Sequence, residues 1–320
     1  MDRDAHRASR LGGTATGVRV AHVTPAVAIE ARIRALLADV GATGWLHCVD
    51  LDDRTREVAV DADDQVVLAS VFKLPLLVEL HRQADSGALA LTEQVEVGVQ
   101  RTVGSTGLAT MQDPARLSLR DLATLMMTVS DVAAADVLLE RVGREAVNAA
   151  MACLGLRRTR IRDSCAEMLG AVYEDLGVTG DDELARALAE PTAMRRLRVL
   201  DPRQTCAGTP RELTSLLTAI WRGGAASEGA CASIRRLLGQ QVWPHRLAAG
   251  FPSDAIRVSG KTGTLPAIRN EVGVVEYPDG RGYAVAVFTR SEGSGLALPQ
   301  VDAAIGVAAR IAVDDLRRQT

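Results

Sequence analysis

Apolar residues at Val27, Ile29, Ile33, Leu36 and Leu37 recur with helical spacing and predict a helix from Pro25 to about Val40. Glycines at 41 and 44 end it and open a strand-like run, Trp45 to Leu51. Glu57-Val58-Ala59-Val60 reads as the hairpin partner of that run across a polar turn. Val66 to Leu80 is apolar except for Ser70, Lys73 and Glu79, too long for a strand, and is expected to be a buried helix beginning near Ser70. Pro75 is tolerated there because it falls near the first turn. Helices are then expected over Leu117–Val129, with Ser118 as cap, over Val132–Val142 and over Glu145–Leu154.

Between about 157 and 208 the pattern loses regularity, and a long loop carrying one or two helices is expected. Thr209-Pro210 starts a further helix, Arg211–Trp221, because proline suits the first helical turn, and Cys231–Gln241 follows. The chain then changes character. Ile256–Ser259, Glu271–Tyr277 and Tyr283–Thr289 read as strands, the last two joined by a Pro278-Asp279-Gly280 turn, and a helix closes the chain from about Leu298 to Arg317.

Strands near both ends with helices between them predict an α/β plus all-α architecture: a sheet flanked by terminal helices and interrupted by a helical insertion. The expected divisions are a flexible tail at 1–24, an α/β part from 25–66 and 209–320, and an inserted helical part at 67–208.

Composition narrows the function. The chain is 47% hydrophobic but only 3% aromatic, so aliphatic side chains and alanine must fill the core. Net charge is −3 with arginines and acids interspersed, so no basic stripe points to nucleic acid and none to a membrane surface. No apolar run approaches the ~20 residues of a membrane helix. The expectation is a soluble protein acting on a small molecule, cytoplasmic unless an export leader has been removed. Five cysteines, widely spread and without CxxC spacing, and five histidines without HxxxH or HExxH spacing predict neither disulfide framework, metal site nor cofactor.

Lysine is the informative residue. Of 37 basic residues only Lys73 and Lys261 are lysines; every other one is arginine. Arginine cannot lose its proton near neutrality, whereas a lysine can be tuned into a base or serve as a compact charge. Lys73 stands one turn after Ser70, the spacing that brings an amine to a hydroxyl on the same helix face. The start of a helix also offers free N–H groups, so the Ser70 amide is a candidate oxyanion donor. Ser130-Asp131, at a helix junction, supplies a second hydroxyl able to relay a proton. Lys261-Thr262-Gly263-Thr264 follows a strand; its lysine can lower the Ser130 pKa, its hydroxyls can bind a carboxylate, and its glycine allows close approach of substrate.

Taken singly, each motif has a bland reading: a capped helix, an N-cap, a strand end. In the order S-x-x-K, S-D-x, K-T-G they resemble the signature of class A β-lactamases and penicillin-binding proteins, class A most closely, over about residues 27–318. The resemblance implies a site in the cleft between the two parts. It implies that Ser70 is the acylated nucleophile, Lys73 a general base and Ser130 a proton shuttle, with the Ser70 and Thr264 amides as oxyanion hole. It also makes Thr262, Gly263, Thr264, the residue at Val132 and Arg269 candidate substrate contacts.

Two departures bear on substrate. The family has asparagine where this chain has Val132, and a valine cannot hydrogen-bond an acylamino side chain. The family's loop glutamate sits in Glu-x-x-Leu-Asn, which is absent; Glu167 is the nearest carboxylate and Asp163 the runner-up. Three readings follow: a β-lactamase-like hydrolase acting on β-lactams or related acyl compounds; a peptidase, esterase or acyltransferase on another metabolite; and a catalytically silent binding protein.

Overall fold

The computed structural model describes residues 25–99, 106–190, 192–293 and 297–319; the tail expected at 1–24 lies outside them. Helix α1 (Pro25–Asp39) leads into β1 (Ala42–Asp50), which turns back as β2 (Glu57–Val60) and a short β3 (Val66–Val67). A 3-10 turn at Ala69–Phe72 runs into α2 (Lys73–Asp85), and β4 (Gln94–Val97) and β5 (Ala115–Ser118) form a small ladder before α3 (Leu119–Thr128). Helices α4 (Val132–Val142), α5 (Arg144–Cys153), α6 (Cys165–Leu176), α7 (Asp181–Leu188) and α8 (Ala193–Arg196) follow. Next come β6 (Ala207–Gly208), α9 (Pro210–Trp221), α10 (Glu228–Leu238), β7 (Arg257–Leu265), β8 (Ile268–Glu276), β9 (Gly282–Ser291) and α11 (Pro299–Arg318).

The main sheet has order β2-β1-β9-β8-β7, antiparallel throughout, which is the mixed helix and antiparallel-sheet class expected. Strand β9 shows why its sequence reads as one apolar run. Tyr283, Val285 and Val287 project into a core shared with α1 and α11, whereas Ala284, Ala286 and Phe288 project into the larger core of the helical side. A strand covered on both faces keeps the alternation of side chains but loses the alternation of polarity. Helix α2 is the extreme case, with every residue from Lys73 to His81 buried. Ser118, Asp131 and Thr209 cap α3, α4 and α9 through their side chains.

Differences from expectation are local. The 157–208 stretch holds α6, α7 and the short α8, and β6 at its end pairs with β3. Lys261-Thr262-Gly263-Thr264 lies inside β7 rather than after it, because the strand continues to Leu265. Neither the β3–β6 nor the β4–β5 ladder was legible, since two residues leave no countable period in the first and no hairpin turn joins the short strands of the second.

The segment after α10 is pinned by two glycines. A Cβ on Gly306 of α11 would stand 2.4 Å from Arg246 O and 2.7 Å from Gly250 N, so backbone meets backbone there. Gly306→Ala is expected to cost about 1–3 kcal/mol, the usual range for overpacking. Urea unfolding would show a lower midpoint, with Val307→Ala on the exposed face of the same helix nearly neutral. An unchanged midpoint for Gly306→Ala would mean that the contact yields freely.

Candidate active site

The turn carrying Ser70 is held from both sides. Leu68 N donates to Cys206 O at 2.9 Å, and Val71 N to Leu68 O at 3.1 Å. Ala69 has φ of +47°, a left-handed value rare for a side chain bearing Cβ. Strand β7 abuts this turn: a Cβ on Gly263 would lie 2.5 Å from Leu68 O and 3.3 Å from Ala69 Cβ. The glycine of the Lys-Thr-Gly run therefore admits the protein's own Ser70 turn.

Ser130 is the second strained residue, with φ of +60°. That conformation turns both its carbonyl and its hydroxyl toward Lys73, whose Nζ donates to Ser130 O at 2.7 Å, Asp131 O at 3.2 Å and Ser130 Oγ at 3.3 Å. Lys261 Nζ donates to the same hydroxyl at 2.9 Å and to Thr262 O at 2.9 Å. Both amines are wholly buried. Burial and the charge of Lys73 hold the Lys261 amine well below the usual lysine range, with Glu271 opposing. Asp131 braces the junction, accepting Ala134 N at 2.9 Å and Leu108 N at 2.6 Å.

Thr262 N, on the outer edge of the sheet, donates to Gln241 Oε1 at 2.7 Å. By the two-residue period of a strand, Thr264 N faces the same open edge. Gln241 is itself held by Glu271, whose carboxylate accepts Gln241 Nε2 at 2.6 Å and Leu247 N at 2.7 Å; burial raises that carboxyl to about 7.

A cavity of about 370 Å³ opens over these groups, lined by Ser70, Ser130, Val132, Thr262 and Thr264 together with residues that sequence reasoning missed. Arg246 is the most consequential of those. Its guanidinium reaches Gly263 O at 3.0 Å, Asn270 O at 2.8 Å and Thr264 Oγ1 at 2.9 Å, and its Nε bonds Asp302 Oδ1 at 2.6 Å. It arrives from an irregular stretch, where no periodicity singles it out. Arg269 lies outside the lining and donates to Leu265 O at 3.0 Å and Ile268 O at 2.8 Å. The arginine at the cavity wall is thus Arg246.

Glu167 also lies outside the lining. It is the third residue of α6 and closes a capping box with Ser164, accepting Ser164 N at 2.6 Å, and it pairs with Arg144 in solvent. The Ser-x-x-Glu spacing of 164–167 is a signal that would have revealed this. Asp163 does not line the cavity either; its backbone engages the Cys206 thiol at 3.2 and 3.4 Å. Cys165, Met168 and Leu169 of α6 face the cavity instead, Cys165 with its thiol pushed up to about 12 by burial. Among the described residues no three His, Cys, Asp or Glu side chains converge as a metal-ligand set, and no helix is long and apolar enough to cross a membrane.

A serine on a strained turn, two buried lysines sharing a second serine, and a sheet edge beside them are set in a fold of the β-lactamase-like class. The chain belongs to the Beta-lactamase enzyme family, whose family model matches residues 28–316. The β-lactamase regulatory protein BlaB of Streptomyces cacaoi is 35% identical over 302 residues, covering 89% of this chain and 96% of its own. The crystal structure of a β-lactamase from Sphaerobacter thermophilus superposes with TM-score 0.73 at 26% identity, over 91% of this chain and 97% of that one. PBP-A shares the fold, with TM-score 0.73 at 20% identity over 92% and 97% of the two chains.

Lys261 yields a test with a definite sign. The unfolded chain keeps a proton on Lys261 that the folded chain resists, so this residue's contribution to stability improves as pH rises toward the ordinary lysine range. Lys261→Met removes that dependence. The free energy of unfolding of wild type minus that of the variant should therefore increase between about pH 7 and 10, with the variant the more stable at the lower end. A difference that is flat or falls with pH would show that the amine is not destabilised by burial.

Proposed function

We propose that the protein is a serine acyl-transfer enzyme of β-lactamase type, acting on an amide or ester that carries an anionic group near the scissile bond. The observation that carries this reading is the convergence of Lys73 and Lys261 on Ser130 Oγ, at 3.3 and 2.9 Å. Two buried amines around one hydroxyl form a costly arrangement that a structural role does not require.

In this reading Ser70 Oγ attacks the acyl carbon, and its proton passes through Lys73 to Ser130. The Ser70 and Thr264 N–H groups stabilise the oxyanion. Ser130, beside Lys261, delivers the proton to the leaving nitrogen or oxygen as the carbon–heteroatom bond breaks. Thr262, Thr264 and Arg246 hold the anionic group, with Val132 on the acyl side. The β-lactams are the first substrates to test. Cleavage of other amides or esters by the same acyl-enzyme, in the manner of a peptidase, esterase or acyltransferase, is the alternative within this chemistry.

A second reading, a binding protein that keeps the fold without turnover, is favoured by one observation: among the described residues the cavity lining contains no carboxylate to activate water for release of the acyl group. The relative named as a regulatory protein agrees with it.

Intact mass after incubation with a fluorescent penicillin and with a fluorophosphonate separates these. Wild type is expected to gain one adduct and Ser70→Ala none, with Lys73→Ala slowed about 10²–10⁴-fold. Turnover of a chromogenic cephalosporin supports β-lactam hydrolysis, and a lasting adduct supports acylation without efficient release. Glu167→Ala should leave the rate of adduct loss unchanged and cost about 1 kcal/mol of stability through its cap. Absence of labelling by either probe would sink the enzyme reading.

A further inference from the structure

The two sides of the cavity differ in kind. The sheet side presents Thr262, Thr264 and Arg246, whereas the helical side presents Val132, Cys165, Met168 and Leu169. The start of a helix ordinarily offers unsatisfied N–H donors, which would make the α6 end polar. Here each of them is occupied. Cys165 N and Ala166 N donate to the Asp136 carboxylate at 2.6 and 2.9 Å, Glu167 N to Ser164 Oγ at 3.1 Å, and Met168 N to Ser164 O at 3.1 Å. Thr106, a further hydroxyl in the lining, spends its proton on Val129 O at 2.6 Å. The carbonyls of Ser130 and Asp131 are taken by Lys73. An acyl group lying against this wall meets hydrocarbon and sulfur.

We propose that the acyl half of the substrate is an unsubstituted hydrocarbon acid, without an amide beside the scissile carbonyl, and that its leaving half carries the carboxylate. This rests on the acyl-transfer reading above and specifies its substrate. The open edge of β7 can still accept an amide N–H, but among the described residues no group on the helical wall is free to donate to the amide's carbonyl. A buried carbonyl stripped of water without a donor loses about tenfold or more in binding. A hydrocarbon acyl group meets no such penalty and gains from the apolar contact. The step is an ordinary acyl transfer: the Ser70 Oγ–acyl bond forms, the ester bond breaks, and the leaving phenolate takes the proton released by Ser70.

Two isosteric esters test it: meta-carboxyphenyl hippurate, with an amide, and the meta-carboxyphenyl ester of phenylbutanoic acid, in which methylenes replace that amide. Release of the phenol is followed, each rate divided by the same ester's rate with hydroxide. The wild-type chain should prefer the phenylbutanoate by at least about tenfold, from the unpaired carbonyl of the hippurate. Val132→Asn should shift the ratio toward hippurate by a similar factor. Equal use of both esters, or preference for hippurate by the wild type, overturns the proposal without needing any variant. So does an unaltered ratio in Val132→Asn. If fluorophosphonate labels Ser70 while the esters show no preference, only the substrate assignment fails. If neither fluorophosphonate nor ester acylates Ser70, the acyl-transfer reading has failed with it.

Discussion

Two buried lysine amines aimed at one hydroxyl are the constraint around which the site is built. Each amine carries up to three donors into an interior that would otherwise repel it. The protein meets this by turning backbone carbonyls inward: Ser130 O and Asp131 O toward Lys73, Thr262 O toward Lys261. Presenting Ser130 O and Ser130 Oγ to the same amine requires the left-handed backbone at Ser130, which is braced by the Asp131 cap and its bond to Leu108 N. Local backbone strain of this kind persists only where the surroundings over-determine it. Burial, and after it the charge of Lys73, then lower the Lys261 pKa.

The Ser70 turn depends on the sheet in a similar way. Strand β7 approaches so closely that Gly263 leaves no room for a Cβ against Leu68 O, and Ala69 is driven to positive φ beside it. A buried polar layer of Arg246, Asp302 and Glu271, with the half-buried Gln241 at the sheet edge, ties the segment after α10 to β7 and β8. The Gly306–Gly250 contact fixes the back of that segment. The position of a guanidinium at the cavity is thus the product of several elements far apart in sequence.

That explains what could be read from the chain alone and what could not. The five strands of the main sheet and the longer helices were legible because apolar runs, glycines and caps such as Ser118 and Thr209 mark them locally. The two lysines were legible because this chain otherwise uses arginine, so each lysine stands out without any structure. Arg246 was not, for the same compositional reason: one arginine among so many carries no mark, and its role comes from long-range packing. Glu167 was selected for its charge and its nearness in sequence to an expected position. Its actual setting is governed by a stronger local rule, the capping box, which turns the third residue of a helix back toward the cap and away from the cavity.

The helical wall and the lysine cluster are joined chiefly through α4. Val132 opens that helix beside Ser130-Asp131, and Asp136, one turn on, holds the start of α6 by two backbone bonds. Burial raises the Asp136 carboxyl, and the two N–H donors with the nearby Lys73 charge counter that shift. Met168 and Leu169 are therefore exchangeable without disturbing the bonds that place α6, which run to Asp136 from its backbone N–H groups and the Cys165 thiol. The lysine cluster has no such freedom, since its side chains are the contacts. Under the acyl-transfer reading proposed above, a site divided in this way would keep its lysine cluster while the acyl group it accepts varies with a few residues on one helix.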